Sequence, residues 1–419
     1  MRVLVLVDCY LPSPKAGGKL IHDLAVELRC QGHQVTVLTP SDSISGDMEL
    51  TVEDNVRVVR VKTGRIKGSL RPLRAIREVC LSTILWRRSK QFLIANPADV
   101  ILFYSPTIFF SGLVRRLKLM WGCPAYLILR DIFPQWAVDA SILRKGLVWR
   151  YLRKKEREQY EAADRIAVQS PANLEYFARE FSSNSYSLEV LYNWMSLQEK
   201  DLPSTNYRTQ LGLQGKVVFF YGGNLGVAQD VENIIRLAAR LAEHKNVHFL
   251  LVGEGSEVPR LRKILMAGSM RNIQILPALG QRAYLSVASE FDVGLISLDR
   301  RLKTHNVPGK MLGYMYSCKP TLASINAGND LFEILGKNQA GFCLLNGDDD
   351  GLCAAALRLA NDPDLRCRMG KNARTLLARL FSVEAAVTQI INHFQTQEAF
   401  AGEVAIGQPA VSLPTARKS

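Results

Sequence analysis

Arg2-Val3-Leu4-Val5-Leu6-Val7-Asp8 opens a unit that closes on Val35-Thr36-Val37-Leu38, and the reading of what lies between decides the fold. Both ends are continuous apolar runs, as in strands buried on both faces. Pro12, Pro14, Gly17 and Gly18 spell a loop. Ile21, Leu24, Ala25 and Leu28 then recur at helical spacing, and Gly32-His33 ends that helix. Strand, helix and strand in that order form a β-α-β crossover, so the sheet is parallel. His22 and His33 read as ordinary helix-surface positions.

Outward from this unit, residues 100–104, 125–129 and 165–168 read as further buried strands. Ser170-Pro171 suits a helix N-cap with proline at the first helical position. Residues 192–215 are polar, with Pro203 and Gly212, and hold the candidate linker. A second strand-loop-helix opens at Lys216-Val217-Val218-Phe219-Phe220-Tyr221, followed by Gly222-Gly223-Asn224-Leu225-Gly226 and the helical run Val231, Ile234, Ile235, Leu237 and Leu241. Strands at 247–252, 273–276 and 293–296 follow. The expected organisation is an α/β chain of two Rossmann-like domains whose parallel sheets face a central cleft. Residues 1–195 form the first domain, 196–215 a linker, and 216–382 the second domain. Residues 383–400 form a C-terminal helix returning to the first, and 401–419 lack an apolar period and are expected to be disordered.

A chain of 419 residues is long for one core, and 47% hydrophobic with 22% charged residues is a globular balance. No apolar run reaches the roughly 18 to 20 residues that span a bilayer. The N-terminus lacks a small-residue cleavage site and reads as a strand rather than a signal peptide. The eight cysteines form no Cys-x-x-Cys pair, which argues against zinc and a disulfide framework and fits a reducing cytosol. The net charge of +14 attracts polyanions: nucleic acid, anionic lipid or a pyrophosphate substrate. Between Arg57 and Lys90 about eleven Lys or Arg face the single acid Glu78.

The chemistry concentrates in the second half. Gly222, Gly223, Asn224 and Gly226 lie between strand and helix, and Gly253-Glu254-Gly255 ends another strand. Glycines there let backbone approach a phosphate, although a plain strand-to-helix turn has the same spelling. His305-Asn306-Val307-Pro308-Gly309-Lys310 turns at Pro-Gly before an apolar helix whose free N–H groups would face an anion. Open parallel sheets bind ligands at the carboxyl ends of their strands, where all three loops lie.

The order helix, turn, buried strand around Tyr314-Met315 … Lys319-Pro320-Thr321-Leu322-Ala323-Ser324 … Gly328-Asn329-Asp330 resembles the donor-sugar region of GT-B glycosyltransferases of family four. Within it, the chain looks like the N-acetyl-L-fucosamine transferase branch of bacterial O-antigen and capsule assembly. The resemblance spans nearly the whole chain. It implies a GT-B fold, a UDP-sugar donor on the C-terminal half, an acceptor on the N-terminal half, retention of anomeric configuration and no metal. It places Gly222, Gly223, Asn224, Gly226, Gly253, Glu254, Gly255, Asn306, Gly309, Lys310 and Asp330 on the donor. Gly17, Gly18 and Arg130 fall on the acceptor side, with Asp131 and His305 catalytic. Asp131 either orients the acceptor hydroxyl or caps the turn before Pro134. Two departures stand out. The family's two glutamates fall on His305 and Gly313, and its basic residues after the first loop are replaced by Val227-Ala228-Gln229. Lys310 is left as the best cationic contact for the diphosphate, and His305 faces the sugar.

Leu73, Ile76, Val79, Ile84, Leu85 and Trp86 interleave with Arg71, Arg74, Arg77, Arg87, Arg88 and Lys90. Arg115, Arg116, Lys118 and Trp121, and Arg150, Arg153, Lys154 and Lys155, add further basic helices. Such helices suit an anionic membrane surface, or are solvated faces over a core stripe. With a lipid-linked saccharide acceptor they imply a cytoplasmic enzyme, peripheral on the inner face of the cytoplasmic membrane. A GT-B sugar-nucleotide 2-epimerase would not need them. A nucleic-acid-binding protein would carry aromatic-basic platforms that are absent here, so nucleic acid is not expected as a partner.

Overall fold

The computed structural model describes residues 1–13, 16–64, 77–198, 205–303 and 307–406. Two sheets organise them. The first runs β3-β4-β2-β1-β5-β6-β7-β8 and is built from β1 (Arg2–Leu6), β2 (Gln34–Ser41), β3 (Met48–Glu53), β4 (Val56–Lys62), β5 (Val100–Tyr104), β6 (Ala125–Ile128), β7 (Arg165–Val168) and β8 (Leu188–Val190). All of its pairings are parallel except the β3–β4 hairpin. The second, wholly parallel, runs β11-β10-β9-β12-β13-β14. Its strands are β9 (Val217–Gly222), β10 (Val247–Val252), β11 (Ile273–Leu276), β12 (Val293–Ser297), β13 (Thr321–Ile325) and β14 (Gly341–Leu345).

Each sheet has one point where the strand order reverses: β1/β5 in the first and β9/β12 in the second. A crevice opens at such a point because successive crossovers leave in opposite directions. At the second, β9 and β12 pair only through Val293↔Phe219 and Gly294↔Phe220. Beyond that, Tyr314 fills the gap: its hydroxyl accepts from the Gly222 N–H and donates to the Leu295 carbonyl, each at 3.2 Å. Its ring rests on Gly294, where a Cβ would overlap it. The phenol satisfies backbone groups that the diverging ladder leaves open.

The chain crosses between the two sheets twice, near Met195 and Ser382, and the crossings bond to each other. Met195 N–H donates to Phe381 O, and Val383 N–H to Met195 O. The last helix, Val383–Ile406, then lays Val387, Ile390, Ile391 and Phe394 into the same core as Val3, Val5, Leu24 and Leu28 of the first sheet's layer. Each large side chain buried there contributes about 1.5–3 kcal/mol.

Several expectations need correction. Gly17 and Gly18 are not loop residues. They belong to helix Ala16–Cys30, close against β1 and β5, where a Cβ on Gly17 would stand 3.0 Å from the Tyr104 ring. His22 is buried, held between the Tyr10 hydroxyl at 2.9 Å and Asp54 at 3.0 Å, and burial lowers its pKa. The C-terminal helix runs through Ile406, because Ala and Glu dominate 398–405 and favour helix. Residues 401–406 are therefore not disordered, and 407–419 lie outside the described residues.

Candidate active site

Three features converge on the β9/β12 crevice. First, the loops after β9 and β10 are zipped together. Gly223 N–H donates to Val252 O, and Leu225 N–H to Glu254 O. A Cβ on Gly253 would collide with the Gly223 carbonyl, and one on Gly255 with that of Leu225. The close approach allowed by Gly253 and Gly255 is therefore to the first loop, not to a phosphate. Gly223 has φ +119°, which only glycine adopts readily. Asn224 and Gly226 close the loop: the Asn224 amide and the Gly226 N–H both reach Gln229 Oε1.

Second, Lys310 stands beside Gly223. A Cβ on Gly223 would be 3.6 Å from its Cε and 3.8 Å from its Nζ. The ammonium sits 3.5 Å from the centroid of the Tyr221 ring, a short cation–π contact. Among the described residues it makes no ion pair. The residue is half-buried, and desolvation of its ammonium pulls its pKa down to about 7. A lysine held in that condition can pair with an anion brought against it. The helix behind it, Lys310–Tyr316, offers less than the sequence suggests. Met311 and Leu312 N–H already turn back to Pro308 and Gly309.

Third, Tyr284 on helix Gln281–Glu290 lies against both Gly222 and Gly313. No local pattern marks it in the sequence, and its role is visible only once β9 and residues 310–316 are brought together.

The other half supplies a cavity of about 660 Å³ at the β1/β5 crevice. Asp8, Tyr10, Thr107, Phe109, Asp131 and Trp136 are among its walls. Asp131 thus faces the side from which a second substrate can come. Arg130 does not. It is buried, donating to Leu191 O at 2.7 Å and Tyr192 O at 3.3 Å, with its guanidinium stacked on Trp194. Desolvation lowers its pKa to about 10. Asp330 is also engaged elsewhere: it accepts from Ala172 N–H in the first turn of helix Pro171–Glu180, across the two halves. Ser170 occupies the N-cap position of that helix, but its side chain makes no cap bond. Val307 is pinned across the same boundary by Gln169 and Asn193, at 3.0 Å each. His305 and Asn306 lie outside the described residues. Gly309 is exposed, with open space around it. Among the described residues no group of three or more His, Cys, Asp or Glu could hold a metal.

Two sheets with paired reversal crevices, the second fronted by an enclosed cation, define a GT-B-type transferase. Residues 16–194 match the glycosyl transferase 4-like domain family, and residues 215–362 match glycosyl transferases group 1. The chain belongs to the glycosyltransferases of GT-B fold. It is 27% identical over 255 residues to a probable glycosyltransferase, WbjE, of Pseudomonas aeruginosa, covering 59% of this chain and 62% of that protein. It is 24% identical over 341 residues to WcaI, a putative colanic acid biosynthesis glycosyl transferase of Escherichia coli K12, covering 74% and 80%. Sucrose-phosphate synthase of Thermosynechococcus elongatus superposes with a TM-score of 0.75 at 18% identity, over 95% of this chain and 99% of that one. Anabaena HepE in complex with UDP-glucose superposes at 0.69 and 15%, over 94% and 100%. The structural likenesses bear on the fold.

Proposed function

We propose that this glycosyltransferase moves a sugar, with retention, from a UDP-sugar on the second sheet to a saccharide carried on a polyprenyl diphosphate. The sugar is an N-acetylated deoxyhexosamine such as N-acetyl-L-fucosamine, and the product enters O-antigen or capsule assembly. The observation that carries this reading is Lys310: a desolvated ammonium with no carboxylate partner among the described residues, beside a φ-positive glycine at a strand-order reversal. As the C1–O bond breaks, charge grows on the departing diphosphate, and a fixed ammonium in a dry site stabilises it. The likeness to WcaI, a colanic acid biosynthesis protein by its name, supports the polysaccharide context, and HepE binds UDP and UDP-glucose. Asp131 orients the acceptor hydroxyl from the other wall, and His305 meets the sugar.

A membrane-facing patch accompanies this site. Ile142, Leu147 and Val148 are 58%, 82% and 64% exposed, and they are flanked by Arg144, Lys145, Arg150 and Lys154. Exposed aliphatics among cations suit an anionic bilayer. They come a few residues after Trp136 of the cavity wall, a proximity that supports reading the cavity as the acceptor pocket. Trp86 is a poorer candidate than its sequence context suggests: it packs on the core beneath Arg116, 4.8 Å away. Residues 65–76 of the basic segment lie outside the described residues. No described helix is long and apolar enough to cross a membrane.

The test is to incubate the protein with UDP-sugars and a short-chain polyprenyl-diphosphate saccharide and follow both substrates. Acceptor-dependent release of UDP with an elongated saccharide supports the proposal. Donor converted to its C2 epimer without release of UDP and without acceptor would mark an epimerase instead.

A further inference from the structure

A chain of hydrogen bonds runs from the surface to the wall of the β1/β5 cavity. Its outer end is the exposed Asp54, at the tip of the β3–β4 hairpin, where Asp54 and Asn55 have φ of +47° and +61°. Two consecutive positive values make the two-residue turn that matches the twist of a hairpin, and Asp and Asn tolerate them. From there the Asp54 carboxylate reaches Nε2 of the buried His22, on helix Ala16–Cys30, at 3.0 Å. His22 Nδ1 meets the hydroxyl of the buried Tyr10 at 2.9 Å. Tyr10 belongs to the loop after β1, and residues 8–13 of that loop line the cavity.

Chemistry gives each atom of this chain one role. An ionised carboxylate only accepts, so the ring proton of His22 sits on Nε2. Burial holds the His22 pKa below its ordinary 6.5, so the ring is neutral at pH 7 and Nδ1 accepts from the Tyr10 O–H. The phenol is thereby fixed in direction, and with it the backbone of the loop. The same hairpin grips the next residue as well. Arg60 of β4 donates to Leu11 O at 2.7 Å and is itself held by Thr51 and Glu53 of β3 at 2.8 and 2.5 Å. An apolar side chain at position 22 could fill the space between helix and hairpin. What the histidine adds is the direction of two hydrogen bonds, one to the hairpin and one to the cavity loop.

We infer that His22 is a positioning residue for the acceptor: through Tyr10 and Asp54 it holds residues 8–13 in the shape that the acceptor saccharide meets. The inference rests on the proposal that the β1/β5 cavity takes that acceptor. His22 itself touches neither substrate. Breaking its bonds loosens the acceptor wall and leaves Lys310, beside the other sheet, as it was.

The experiment compares the full-length wild type with Tyr10→Phe, His22→Phe, their double variant and His22→Gln. The phenylalanines remove polar atoms and keep a ring. In His22→Gln one amide offers an acceptor to Tyr10 and a donor to Asp54. Acceptor KM is read from UDP release with the short-chain polyprenyl-diphosphate saccharide at saturating UDP-sugar. UDP affinity is read by calorimetry, and the loop by amide hydrogen exchange. Tyr10→Phe and His22→Phe should each raise acceptor KM about three- to tenfold, the worth of one neutral hydrogen bond. UDP affinity should not change, and exchange should quicken across residues 8–13. The double variant should cost no more than the worse single one, because both remove the same bond. His22→Gln should stay near wild type. Unchanged acceptor KM in both phenylalanine variants overturns the assignment of His22 while the proposed function stands. So does an equal loss of UDP affinity, a double variant that sums the two losses, or a His22→Gln as impaired as His22→Phe. Should His22→Phe fail to fold, the single oxygen removed in Tyr10→Phe decides. A wild type without acceptor-dependent UDP release overturns both readings.

Discussion

Replacing Lys310 by methionine tests the site through its proton. The ammonium has a pKa of about 7 because its surroundings are dry. A diphosphate beside it favours the charged form and raises that value. Affinity for UDP is then flat below about pH 7 and falls roughly tenfold per unit above it, about 1.4 kcal/mol per unit. At pH 9 only about one Lys310 in a hundred carries its proton before the ligand arrives. Working above pH 7.5 keeps the second phosphate ionisation, near pKa 6, out of the window. Titration of UDP at pH 8 in buffers of different ionisation enthalpy should register the uptake of nearly one proton per nucleotide. Lys310→Met should abolish both the uptake and the pH slope, and should weaken binding at pH 7 by about 1.5–3 kcal/mol, a hydrogen bond to a charged group. The same change should stabilise the empty protein. The folded pKa lies below the unfolded value of 10.5, so the unfolded chain binds the extra proton between pH 7 and 10.5. Stability from this group therefore rises with pH across that window and is lowest at pH 7 and below. Removing the charge returns about 1–2 kcal/mol there, after allowance for the half-buried side chain's access to solvent. Zero proton uptake at pH 8, or the same pH slope in Lys310→Met, would refute the reasoning.

Gly253→Ala should force the two zipped loops apart, costing about 3 kcal/mol or more in a urea melt and taking UDP binding with it; a variant of wild-type stability would mean that the loops tolerate the methyl. Leu147→Glu with Val148→Glu should cut sedimentation with anionic vesicles severalfold and leave stability within about 0.5 kcal/mol, since both side chains are exposed; unchanged vesicle binding would dismiss the patch. Asp330→Ala should destabilise by about 1 kcal/mol, the usual worth of a helix cap, and leave UDP affinity in place; a large loss of affinity would return Asp330 to the donor site. His305→Ala should lower transfer while preserving UDP affinity, and full transfer by the variant would remove His305 from the sugar.

The parallel strands were legible because burial on both faces makes them continuous apolar runs: β1, β5, β7 and β10 show it plainly. The β3–β4 hairpin was not. In β4 valines alternate with Arg57, Arg60 and Lys62, so an edge-side strand reads as part of a basic surface. The three loops of the site were recognisable from glycine and Pro-Gly spelling, and they do meet at one crevice. What those glycines accommodate was not. Gly253 and Gly255 make room for backbone, and Gly222 makes room for Tyr284, facts that depend on partners distant in sequence. Arg130 and His22 misled for the same reason. An arginine spent on carbonyls and a histidine locked between Tyr10 and Asp54 look, in one dimension, like free polar groups.

The most direct measurement is a crystal structure of the protein with UDP. The diphosphate is expected between Gly223 and the Lys310 ammonium, within hydrogen-bonding distance of both. UDP seated in the cavity beside Asp8 and Asp131, or bound with Lys310 still facing only the Tyr221 ring, would contradict it.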